Sequence, residues 1–87
     1  MKGKTMYKKP EWIEKCEKEA KVGIFHHLTL EKSIEQDNIS WYLMFNTPTG
    51  AINGIAISKQ CKDIAEMLDY AQRNDLPLFI NGKEVHL

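Results

Sequence analysis

Residues 39–46, ISWYLMFN, are apolar on both of the faces that an extended chain presents. Side chains alternate sides along a strand, so Trp41, Leu43 and Phe45 point one way and Tyr42 and Met44 the other. A strand of this kind belongs inside a sheet. The rest of the chain must then cover both faces of that sheet or leave one of them open.

The sequence supplies two helices for this purpose. PEWIEKCEKEAKV (10–22) places Ile13, Cys16 and Ala20 on one stripe with Trp12 at its edge, Pro10 at the first helical position and Gly23 as a stop. Glu11 with Lys15, Glu14 with Lys18 and Glu17 with Lys21 stand at i,i+4 in the favourable order, which makes a solvated charged face. KQCKDIAEMLDYAQRND (59–75) aligns Cys61, Ile64, Ala65, Leu68 and Ala71, with Ser58 as N-cap and Asn74 and Leu76-Pro77 as terminators.

The remaining segments read as strands. HLTLEKSIE (27–35) pairs with ISWYLMFN through a tight turn at Asp37-Asn38, which sets Ile34 opposite Trp41, Lys32 opposite Leu43 and Leu30 opposite Phe45. A short helix over TLEKSIEQ, capped by Thr29, is the alternative. TPTG (47–50) turns the chain into AINGIAIS (51–58), although Asn53-Gly54 is itself a hairpin signal. LPLFINGKEVHL folds about Asn81-Gly82, with Leu78, Ile80, Val85 and Leu87 on one face and Phe79 and His86 on the other. The expected architecture is a single α+β domain over 1–87, a small antiparallel sheet with two helices in the order α-β-β-β-α-β-β, and residues 1–8 a flexible basic arm.

At this length only about 60 to 65 % of the unfolded surface is buried, so the core is small. Twelve basic residues balance twelve acidic ones, which leaves no global field to attract nucleic acid or a membrane. The balance is uneven along the chain. Residues 1–21 hold seven Lys against four Glu, an excess of three positive charges, and the remainder is negative by the same amount. Cys16 and Cys61 belong to no C-x-x-C motif and fall on the expected apolar helix faces, as in a reduced cytoplasmic protein. The first twelve residues lack the apolar core of a signal peptide, and the longest apolar run, 41–45, is too short to span a bilayer.

Motifs for chemistry are scarce. In a strand, His26 and His27 face opposite sides and do not chelate one metal together. No G-x-S-x-G or Walker A sequence is present, and Asp63, Glu66 and Asp69 fall on the polar face of the second helix. No catalytic residue, metal ligand or cofactor is expected. The second sheet face stands out instead: Tyr42 and Met44, placed near Ile55 and Ile57, are either covered by one of the helices or form an open patch for a protein partner or a second copy. The expectation is a non-catalytic protein-binding module, a regulator or inhibitor of the accessory kind that phages and mobile elements carry. The alternative is nucleic-acid binding by the arm, with Tyr7 stacking on a base while Lys4, Lys8 and Lys9 meet phosphates.

Overall fold

The computed structural model describes residues 8–33, 35 and 38–85. Its elements are α1 (Glu11–Ala20), β1 (His27–Lys32), β2 (Ile39–Asn46), β3 (Ile52–Ala56), α2 (Cys61–Arg73), β4 (Leu78–Ile80) and β5 (Lys83–Val85). The α+β class and the element order are those expected. The sheet runs β3-β2-β1-β4-β5. It is mixed, not antiparallel throughout: α2 carries the chain from the β3 edge across to the far side of β1, so β4 arrives parallel to β1, with Leu28 opposite Leu78 and Leu30 opposite Ile80.

Residues 27–32 form a strand, as expected over the alternative helix. The loop after it is longer than a two-residue turn. Ser33 N–H donates to the Asn38 carbonyl at 2.8 Å, and Leu30 stands opposite Trp41 and Leu28 opposite Leu43. The register is therefore displaced by four positions from the one expected. An even displacement keeps side chains on their faces, so Leu28, Leu30, Trp41, Leu43 and Phe45 still share one side. Ile34 and Asp37 lie outside the described residues.

The turn between β2 and β3 is at TPTG, where Gly50 N–H donates to Thr47 O at 2.9 Å. The loop also takes in Ala51, whose carbonyl accepts from Thr47 N at 2.8 Å and from Thr47 Oγ1 at 3.0 Å. That one extra residue reverses the side on which every β3 side chain falls. Leu43 pairs with Ile55, and Tyr42 and Met44 pair with Ala56 and Gly54. The β4–β5 hairpin has the expected register, with Asn81 and Gly82 both at positive φ (49° and 83°), as a type I′ turn requires.

Both helices lie on the same side of the sheet. The core joins Ile13 and Ala20 of α1 and Met67, Tyr70 and Ala71 of α2 to Leu28, Leu43, Ile57 and Leu78. Phe25, in the α1–β1 connection, closes the cluster with edge-on contacts to Phe45 (6.1 Å) and Tyr70 (6.5 Å). Trp12 Nε1–H donates to Glu66 Oε1 at 3.0 Å, which ties the two helices side by side.

Several helix details depart from the expectations. On α2 the buried stripe is Met67, Tyr70 and Ala71, with Cys61 and Ala65 exposed. Ser58 is not the cap; α2 begins at Cys61 and has no side-chain cap, Ser58 Oγ only accepting a long 3.4 Å bond from Gln60 N. α1 ends at Ala20, three residues before Gly23, because Lys21 itself takes the left-handed conformation and Val22 N–H closes back on Glu17 O at 3.0 Å. Cys16 is half-buried, and that burial pushes its thiol pKa up.

Candidate functional site: the uncovered face of the sheet

By register, the side of the sheet away from the helices displays His27, Thr29 and Glu31 from β1, Ser40, Tyr42, Met44 and Asn46 from β2, Ile52, Gly54 and Ala56 from β3, Phe79 from β4 and Glu84 from β5. None of these residues is buried, and no described helix or loop covers them. Ile52 is 55 % exposed, the most exposed of the large apolar side chains among the described residues. Across the centre, Tyr42 stands between Thr29 and Ala56. Met44 stands between His27 and Gly54, in a shallow depression also bordered by Glu31 and Asn53. Gly54 makes room for this arrangement, since a Cβ there would sit 2.7 Å from Met44 Sδ. Among the described residues, the face carries Glu31 and Glu84 and no Lys or Arg.

Of the four residues expected to make a partner surface, the structure brings two together. Tyr42 and Met44 are on the uncovered face. Ile55 and Ile57 are on the other side, Ile57 buried in the core and Ile55 packed against it, because the longer β2–β3 loop turned β3 over. Sequence reasoning missed Phe79, Thr29 and His27 as members of the face. The signal for them was the strict alternation of β1 with Leu28 and Leu30, together with the parallel β1–β4 pair that brings Phe79 beside Thr29.

The basic arm divides differently. Lys4 and Tyr7 lie outside the described residues. Lys8 is exposed, but Lys9 is committed within the fold: its Nζ stands 2.7 Å from Glu17 Oε1 and 5.8 Å from the centre of the Tyr70 ring. Glu17 is the buried charged residue among those described, at 6 % exposure, and not part of a solvated i,i+4 face. Its second oxygen accepts from Tyr70 Oη–H at 2.6 Å, and that hydroxyl in turn accepts from Phe25 N–H at 3.3 Å. The carboxylate thus has an ion pair and a hydrogen bond to offset its burial, which gives this cluster a structural role. Of the three helix-face pairs expected, Glu14–Lys18 is formed, at 3.5 Å.

His26 and His27 do not diverge as expected. β1 begins at His27, so His26 stands outside the strand's alternation, and its Nδ1 lies 2.7 Å from His27 Nδ1. Phe79 packs edge-on against the His27 ring at 4.8 Å. Burial, and secondarily the neighbouring His26, lower the His27 pKa from the ordinary 6.5. A histidine whose folded pKa is depressed stabilises the fold above its unfolded pKa, and that contribution is lost as pH falls below it. Stability measured by urea denaturation is therefore expected to drop between pH 7 and 5 more steeply in the native protein than in His27→Gln. Parallel pH profiles for the two proteins would contradict this.

Among the described residues there is no cluster of three or more His, Cys, Asp or Glu suited to a metal ion, and no helix is long and apolar enough to cross a membrane. No family model, curated protein or solved structure matches the chain.

Proposed function

We propose that this protein is a binding module that docks a protein partner on the uncovered face of its sheet and acts by occupying that partner. The observation that supports this reading is the one-sided placement of the helices. It leaves Tyr42, Met44, Phe79 and Ile52 on a half-exposed, largely neutral surface, with Gly54 supplying a depression at its centre. Aromatic side chains and Met are enriched where proteins meet, and Lys is depleted there. With Glu31 and Glu84 as the charged groups on the face, the complementary partner is apolar at its centre and neutral or basic at its rim. The same charge pattern disfavours nucleic acid or an anionic lipid surface on this face. The engagement of Lys9 by Glu17 removes one of the four residues from the alternative reading through the arm.

The test compares capture by the tagged full-length chain with capture by Tyr42→Thr/Met44→Ser, both nuclease-treated and at moderate salt. A stoichiometric protein held by the native chain and by Lys8→Ser/Lys15→Ser, and lost from the sheet-face variant, is the expected outcome. Equal capture by the sheet-face variant, or loss of every partner on nuclease treatment, would overturn the proposal and favour the arm.

A further inference from the structure

His27, at the first position of β1, and His26, just before it, bring two ring nitrogens together at the end of the uncovered face. Their Nδ1 atoms converge to 2.7 Å. The convergence is held from three sides. His26 N–H donates to the Met44 carbonyl at 2.7 Å, His27 is in register with Met44, and the Phe79 ring braces the His27 ring. His26 is exposed, so the pair is open to solvent. In the metal-free chain one Nδ1 carries the hydrogen and the other accepts it.

Two metal–nitrogen bonds of about 2.0–2.1 Å at a right angle place their nitrogens about 2.8–3.0 Å apart, whereas a tetrahedral angle places them about 3.3–3.4 Å apart. The 2.7 Å separation is that of the N–H···N hydrogen bond, and the smaller opening of the rings reaches the right-angle value. Imidazole ligands suit copper and nickel, a tetragonal field is typical of both divalent ions, and copper(II) is the tighter binder of the two. We propose that His26 and His27 are a bidentate site for a divalent transition ion of tetragonal preference, copper(II) foremost, bound through both Nδ1 atoms with water completing the coordination. When both rings are neutral, the donor ring moves its proton from Nδ1 to Nε2 and turns its freed lone pair to the ion, so no proton is released. No described group holds either Nε2 as an outer-shell partner, which places the site among exposed, exchangeable ones.

The test is a titration of the full-length chain with copper(II) chloride against glycine as competitor, with electron paramagnetic resonance of the product. One equivalent bound, with hyperfine structure from two imidazole nitrogens, is expected. Loss of an outer-shell partner alone weakens metal sites about 10- to 100-fold, so His26→Ala and His27→Gln should each weaken binding at least tenfold, and His86→Ala should leave it unchanged. His26 is solvent-exposed and its substitution leaves the core intact, which circular dichroism would verify. Isotherms that coincide for the native chain and both dyad variants, a one-nitrogen spectrum, or dependence on His86 would each overturn the assignment.

Discussion

Leu43→Ala is expected to cost about 2–5 kcal/mol, the range for truncating a fully buried leucine. A domain of this size holds roughly 4–13 kcal/mol in total. The neighbouring substitution Tyr42→Thr, one position away on the same strand, should cost about 1 kcal/mol or less. Leu43 is fully buried between Leu28 and Ile55 under the helices, whereas Tyr42 projects to solvent between Thr29 and Ala56. Threonine retains the strand preference of tyrosine, so the comparison reports packing and not backbone propensity. Urea denaturation of the two variants measures the contrast. A Tyr42→Thr loss as large as that of Leu43→Ala would mean that the second face is also core, and would remove the basis for docking there.

Tyr70→Phe removes one oxygen and is expected to cost about 2–3 kcal/mol, because a buried polar group left without its partner forfeits about 1–3 kcal/mol. Here the deletion affects two groups at once, the Glu17 carboxylate and the Phe25 N–H. The sign of a second substitution separates this account from simple loss of packing. Adding Glu17→Leu to Tyr70→Phe should restore part of the lost stability, since removing both members of a buried polar pair costs less than removing one. Lys9, one-third exposed, returns to water in that variant. A Tyr70→Phe effect below about 0.5 kcal/mol, or a double variant weaker than Tyr70→Phe alone, would show that the network does not stabilise the fold.

Some local signals are legible in the chain, but the helix ends at Ser58 and Gly23 and the non-local pairings are not. Asn81-Gly82 fixes its hairpin because both residues accept positive φ, a property visible in the two letters themselves. The alternation of β2 survived an error of four positions in its pairing with β1, since even displacements preserve faces. The β2–β3 loop shows the opposite case: Ala51, an unremarkable residue, joins the turn by accepting two bonds from Thr47, and this alone moved Ile55 and Ile57 from the candidate surface to the core. Glu17 reads as a solvated residue because Lys21 stands four residues on. Its actual partners are Lys9, ahead of the helix, and Tyr70, 53 positions away, and no local pattern encodes that pairing. The parallel β1–β4 contact was hidden for the same reason, and with it the place of Phe79 beside His27.

That parallel contact also governs how the chain must assemble. β1, β2 and β3 are successive and antiparallel, so the meander of 27–56 joins through short loops. The other half of the sheet is attached through β1 alone, where Leu28 meets Leu78 across a loop of fifty residues. Closing such a loop costs entropy before any contact offsets it, and non-local pairs of this kind slow folding. The seam is fastened at its ends by Leu28 N–H on the Pro77 carbonyl, Asn81 N–H on the Leu30 carbonyl and the Asn81 side chain on Lys32 N–H. Asn81 thus serves twice, as a turn former within its own hairpin and as the latch that joins the two halves of the sheet.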